Sequence, residues 1–236
     1  MKLKEVITGT TNALRNIDRY SREPLIQIEN VAEHSYYVIF YSWMISNDLI
    51  SKGHKIDIQK VMESAMLHDM EESVFGDLPR PIKKAYPELD SMILDAAYSA
   101  VKNIFDKTGF YDAEYPAKIW KNAMNGSLEG KIVKFSDDLD VFAYAYEEAR
   151  KGNTRMADLF IEHLNYIKDF RSDPLFADYI GQIDAMADSL KNPEKQSRNA
   201  GQQKKEVFDS NWKWWEYDGA WHKQNQAIMQ KRRKCD

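Results

Sequence analysis

The chain reads as an all-α protein, because apolar residues recur at spacings of three and four through most of its first 190 positions. Glycine and proline, at 10 and 7 of 236 residues, are too sparse to punctuate it into strands and turns. A composition of 43% hydrophobic and 12% aromatic residues supplies the core of one sizeable domain or two small ones, and excludes a wholly disordered chain.

The elements follow in order. Residues 31–49 (VAEHSYYVIFYSWMISNDL) are apolar on more than one side, which predicts a central helix. A second helix is expected over 58–74, stopped by GDLPRP, whose two prolines and glycine cannot continue a helical ladder. Further helices are expected over 88–107, ended near Gly109, over 131–151 with Gly152-Asn153 as its stop, and over 154–170 before Pro174. After Asn192 the stretch PEKQSRNAGQQKK is polar and aperiodic and reads as a linker. The expected organisation is a helical domain over 1–192 and a small basic extension over 193–236. Residues 195–236 carry a net charge of +5, against −9 for the rest, and hold Trp212, Trp214, Trp215 and Trp221 around an Asp218-Gly219 pair that favours a hairpin turn.

Charge and cysteine content narrow the class. With 33 basic and 37 acidic residues the chain has a net charge of −4 and does not attract polyanions by bulk charge. No run approaches the ~20 apolar residues of a membrane span, and MKLKEVITGT has no secretory apolar stretch, so a cytoplasmic protein without a membrane partner is expected. The lone Cys235 offers neither a disulfide framework nor a cysteine metal cluster. Any metal must be held by histidine and carboxylate.

Of five histidines, His34 and His68 sit inside apolar helical runs, where an uncompensated imidazole is costly. Asp69 follows His68 at once and Glu72 lies at i+4, so all three polar groups reach toward one point beside the helix. His34, and Asp137 in KFSDDLD, complete a two-histidine, two-carboxylate set drawn from separate helices, suited to Zn, Mn, Co or Fe. A helical histidine is also commonly a hydrogen-bonded core residue, and spacing alone leaves both readings open.

Arg19-Tyr20, ENVAEHS, LHDMEESVFGDLPRPIK and KFSDDLDVFAYAYEEARKGN occur in that order. In this the sequence resembles the HD-domain metal-dependent phosphohydrolases, and among them the YfbR-like bacterial 5′-deoxynucleotidases, over about residues 10–190. The resemblance implies an HD-domain helical bundle with His34, His68, Asp69 and Asp137 as ligands of one divalent ion (Co, Mn or Zn). It implies an acid or base at Glu72, with Asp77 of GDLPRP sharing that work or holding the loop, and phosphate bound by Arg19. Lys83, just after the loop, is a further cation for phosphate. Tyr20 stands where these nucleotidases commonly carry a tryptophan that packs on the deoxyribose, and Arg80 stands where they often carry a small polar residue.

The expected function is hydrolysis of a nucleotide phosphate, foremost from deoxyribonucleoside 5′-monophosphates, by a homodimer like the bacterial relatives. Two alternatives stay open: a deoxynucleoside triphosphohydrolase with the same ion site, and a non-catalytic HD-like regulatory or nucleic-acid-binding module that uses the tail. Basic residues beside tryptophans fit single-strand binding, but aromatics docked on protein are the stronger expectation. Glu148 is expected at a solvated helix end, and His54 and His163 as surface or packing residues.

Overall fold

The computed structural model describes residues 1–78 and 87–191. Arg80, Lys83 and the extension over 193–236, with its expected hairpin, lie outside these residues. The chain divides into two compact units, Met1–Ala187 and Asp188–Asp236, and the site lies in the first. Among the described residues regular structure is helical, with no strand beyond an isolated antiparallel bridge between Asp18 and Asn30. None of the described helices is long and apolar enough to cross a membrane.

Helix α1 (Leu3–Thr8) and a 3-10 segment (Thr10–Asn16) lead to α2 (Val31–Ser51). The start of α2 is set by a capping box: the Asn30 side chain accepts from the Glu33 amide at 3.0 Å, and the Glu33 carboxylate accepts from the Asn30 amide at 3.1 Å. This fixes His34 in the first turn. Val31, His34, Val38, Ile45 and Leu49 turn inward, whereas Tyr36, Tyr37, Phe40, Trp43 and Met44 on the other side are exposed. The helix expected at the centre therefore lies at the surface of this chain, its second apolar face uncovered.

Asp57 caps α3 (Ile58–Leu67) by accepting from the Lys60 amide. The single helix expected over 58–74 breaks here. The amides of Met70, Glu72, Ser73 and Val74 bond to carbonyls three residues back, which tightens the backbone across 68–71 before α4 (Glu72–Phe75). Gly76, at φ +75° and ψ 172°, ends α4 in a conformation open essentially to glycine alone.

Next come α5 (Pro87–Thr108), α6 (Glu114–Lys121), α7 (Leu128–Arg150), α8 (Ala157–Asp169) and α9 (Ala177–Lys191). The sequence pattern predicts neither α6 nor α9. Pro116 is no breaker because it falls in the first turn of α6, where a missing amide costs little. Helix α7 is the centre: it packs against α2, α3 and α8 and buries Ile132, Val133, Phe135, Val141, Phe142 and Ala145. The Phe135 ring lies 4.6 Å from that of Phe176 and 5.2 Å from that of Phe170, and each such side chain contributes ~1.5–3 kcal/mol by leaving water. A second cluster, Leu67, Ala97, Val101, Ala117 and Trp120, joins α3, α5 and α6.

Glu148 is not at a solvated helix end, contrary to expectation. It is buried, and its carboxylate accepts from the Ile26 and Gln27 amides at 2.9 Å each and from Asn153 Nδ2 at 2.7 Å. Burial disfavours its charge, but these donors hold its pKa below the ordinary carboxylate value. The end of α7 thereby pins the loop that carries Arg19 and Glu29.

Gly130, in the first turn of α7, has no room for a methyl group: a Cβ would stand 2.3 Å from the Asn125 carbonyl oxygen. Around Gly181 in α9 nothing lies within 4 Å of such an atom. Thermal denaturation should show Gly130→Ala destabilised by ~1–3 kcal/mol, and Gly181→Ala unchanged or stabilised by up to ~1 kcal/mol through its helix propensity.

Candidate metal centre

Four separate stretches deliver the polar cluster. The capped start of α2 supplies His34, the turn after α3 supplies His68 and Asp69, α4 supplies Glu72, and the third turn of α7 supplies Asp137. His34 Nε2 lies 3.3 Å from His68 Nε2, 3.4 Å from Asp69 Oδ2 and 3.3 Å from Asp137 Oδ1, and His68 Nε2 lies 3.0 Å from Asp69 Oδ2. The four residues expected to converge do so, although the chain between His68 and Glu72 is a tightened turn and not one helix face.

The other nitrogen of each imidazole has its own partner. His68 Nδ1 is 2.8 Å from the Ala65 carbonyl oxygen, which can only accept, so Nδ1 carries the proton. His34 Nδ1 is 2.6 Å from Asp140 Oδ2 and donates likewise. In the neutral rings both Nε2 lone pairs then point at each other and at two carboxylate oxygens. Such a set calls for a cation at its middle, and imidazole with carboxylate is the donor set of a divalent transition ion. His34, His68 and Asp69 place ligand atoms within 4.8 Å of one another, and Asp137 joins them through its contact with His34. The residues fit a metal.

The protonation energetics agree. Burial opposes charge on His34, yet hydrogen bonds with Asp137, Asp140 and Asp69 raise its pKa well above 6.5. Burial likewise opposes charge on His68, and Asp69 raises its pKa. Desolvation opposes charge on the half-buried Asp69 too, yet His68 and His34 hold it well below the usual carboxylate range. The pocket pulls positive charge toward the point where the Nε2 atoms meet.

A cavity of about 850 Å³ opens beside this point, and Arg19, His34, His68, Asp69, Glu72, Asp77 and Asp137 all line it. Burial, with Asp69, Asp77 and Glu71 close by, pushes the Glu72 carboxyl up to about 10. Glu71 is pushed up to about 7, first by burial and then by Asp69, and accepts a hydrogen bond from the Trp120 indole. Arg19 Nη1 is 2.6 Å from Glu29 Oε2 and 3.6 Å from Asp140 Oδ2. Backbone bonds from the Arg19 amide to the Glu29 carbonyl and from the Val31 amide to the Ile17 carbonyl close the loop that holds this pair.

Tyr20 is not among the described cavity-lining residues. Its ring stacks on Tyr144 at 5.2 Å and 9° and lies 4.9 Å from the Arg19 guanidinium carbon, with its backbone at φ +53°, uncommon for a residue other than glycine. His163 is buried against Tyr166 and His54 is exposed, so both stand apart from the cluster. Sequence reasoning missed Glu29, Glu71, Lys134, Asp138 and Asp140. Lys134 Nζ lies on the cavity wall, 3.1 Å from Asp137 Oδ2 and 2.7 Å from Asp138 Oδ1. Asp138 and Asp140 had a signal, since charged residues recur on an otherwise buried helix in SDDLD; Glu29 had none beyond its place before the α2 cap.

A model of the 5′-deoxynucleotidase YfbR-like family matches residues 8–181, a span that includes every residue of the cluster. A 5′-deoxynucleotidase of Pasteurella multocida is 35% identical over 167 residues, 69% of this chain and 84% of that protein. One of Vibrio vulnificus is 28% identical over 147 residues, 61% and 75%. Among solved structures, an HD-domain phosphohydrolase of Listeria innocua aligns with TM-score 0.62 and 24% identity, over 82% of this chain and 100% of its own. The cyanophage S-2L HD phosphohydrolase DatZ, bound to dA and one catalytic Zn2+ ion, aligns with TM-score 0.54 and 17% identity, over 79% and 95%. These structures share the helical fold. The chain belongs to the 5′-deoxynucleotidase YfbR-like family, built on the HD-domain phosphohydrolase fold.

Proposed function

We propose that this protein is a 5′-deoxynucleotidase that releases phosphate from deoxyribonucleoside 5′-monophosphates with the help of one divalent ion. The observation that carries the reading is the meeting of His34 Nε2, His68 Nε2, Asp69 and Asp137 at the wall of a cavity that also contains Arg19. The names of the Pasteurella and Vibrio relatives support the substrate class, and the dA and Zn2+ of the cyanophage enzyme support a nucleotide and a transition ion. His34, His68, Asp69 and Asp137 would hold the ion. When bound, it supplies Lewis acidity toward water and a phosphoryl oxygen.

The side chains supply the rest. Arg19 stays charged although buried and presents its guanidinium to the phosphate. Glu72, its carboxyl raised by burial and by neighbouring acids, carries a proton at neutral pH and can hand it to the departing 5′ oxygen of the nucleoside. Asp77 faces the same space and assists in holding that proton. Tyr20, stacked on Tyr144, forms a wall that positions Arg19. Lys83, six positions after Asp77 in the sequence, is the further cation proposed for the phosphate. Acidic side chains outnumber cationic ones on the described cavity wall, which favours the smaller charge of a monophosphate over a triphosphate. A working place among cytoplasmic nucleotides, and a separate extension over 193–236, complete the reading.

The same reading includes a homodimer. The exposed face of α2 runs from Tyr36 and Tyr37 through Phe40, Trp43 and Met44 with no acidic or basic side chain exposed between Glu33 and Asp48. Four aromatic side chains, 42–61% exposed, present roughly 400 Å², about half of what each partner contributes to a stable interface. A second copy meets this face without like-charge repulsion.

Two experiments test these assignments. Metal-stripped protein reloaded with Mn, Co or Zn should release phosphate from dNMPs. Asp69→Ala should lose both metal and activity, and Glu72→Ala should keep metal and lose at least ~100-fold in turnover. Release of triphosphate from dNTPs would move the assignment to the triphosphohydrolase, and full activity of either variant would refute its role. In sedimentation, the wild type should be a dimer and Phe40→Glu/Trp43→Glu a folded monomer; an unchanged dimer would remove α2 from the interface.

A further inference from the structure

We propose that Asp140 is a positioning residue that locks the metal-binding imidazole of His34 to the phosphate-binding guanidinium of Arg19, so that the ion site and the phosphate site are built as one unit. Asp140 is 3% exposed and lies one turn after Asp137 on α7. One of its oxygens, Oδ2, is 2.6 Å from His34 Nδ1 and 3.6 Å from Arg19 Nη1. A carboxylate buried this deeply is tolerated only with cationic or donor partners, and these two supply them.

The two imidazoles are oriented by different means. His68 donates to the Ala65 carbonyl, a neutral acceptor fixed in the helix backbone. His34 donates to a full negative charge, which fixes the tautomer with the Nε2 lone pair directed at His68, Asp69 and Asp137 and strengthens that nitrogen as a donor to metal. The same oxygen stands at ion-pair distance from Arg19, so the charge that orients the ring also draws the guanidinium toward it.

Glu29, His34 and Asp140 also bring ligand atoms within 4.8 Å of one another, which by count alone would suit a second cation. Arg19 answers that charge: its Nη1 stands 2.6 Å from Glu29 and 3.6 Å from Asp140. Glu29 touches Arg19 and Asp140 touches both Arg19 and His34. The two acids therefore have unequal effects, since Glu29 bonds Arg19 and only stands near His34, whereas Asp140 is in direct contact with the His34 ring as well.

The inference rests on His34 being a metal ligand, and the experiment separates the two claims. Zn2+ affinity is measured by chelator competition on the folded full-length chain, and inorganic phosphate binding on the zinc-loaded protein by calorimetry. Asp140→Asn keeps the shape and an acceptor for His34 but removes the charge, and should weaken Zn2+ by ~10-fold, with Asp140→Ala weaker by up to ~100-fold. Both should also weaken phosphate several-fold, whereas Glu29→Gln should weaken phosphate several-fold and lower Zn2+ affinity far less than Asp140→Asn does. A residue that only supported the fold would lower the melting temperature of the metal-free protein in all three variants without this division. Wild-type Zn2+ affinity in Asp140→Asn, while His34→Ala has lost Zn2+, overturns the role of Asp140 and leaves the metal site standing. Undiminished Zn2+ affinity in His34→Ala overturns the metal site itself.

Discussion

The arrangement depends on one buried imidazole with both nitrogens committed. His34 donates a hydrogen bond from Nδ1 to Asp140 and so turns Nε2 toward His68, Asp69 and Asp137. An apolar residue at position 34 would take from Asp140 its 2.6 Å donor and from Asp69 and Asp137 the nitrogen they share, leaving each with one cationic or imidazole neighbour. The local structure around it serves that placement: the Asn30–Glu33 capping box sets the first turn of α2, and the Asp18–Asn30 bridge closes the loop that brings Arg19 against Glu29 and Asp140.

The central helix organises the molecule around that point. Phe135, Val141 and Phe142 give α7 its grip on the core, while Asp137, Asp138 and Asp140 on the same helix carry charge into the interior. Packing holds those acids where water cannot relieve them, and cations answer instead: Arg19 at Asp140, and Lys134 at Asp137 and Asp138. Glu148, two turns beyond Asp140, fastens the Ile26–Gln27 backbone and so steadies the loop from the other end. Core packing and the site are thus one construction, in which apolar contacts supply the energy that places the charges.

Much of this was legible in the residues. His34 and His68 betray themselves as polar groups in apolar helical runs, and Asp69 and Glu72 by their spacing from His68. Asp137 stands out in KFSDDLD, but the same seven-residue stretch hides Asp140, because spacing cannot tell which of three acids faces a ligand and which faces the ligand's far side. Periodicity also runs unbroken through the turn at 68–71, since a tightened helical turn keeps nearly the same register as a helix. Glu148 was misjudged because its donors are backbone amides more than 120 residues earlier, and backbone groups leave no mark in the sequence. Pro116 sits in the first turn of α6, where a proline does not break a helix.

The central claim is that two imidazoles and two carboxylates share one divalent ion. X-ray absorption at the zinc K-edge of protein loaded with one equivalent of Zn2+ tests it most directly. The account predicts a first shell of nitrogen and oxygen only, with the outer-shell scattering of two imidazole rings, reduced to one ring in His68→Ala. A spectrum with one ring or none in the wild type, or with sulfur in the first shell, would contradict it.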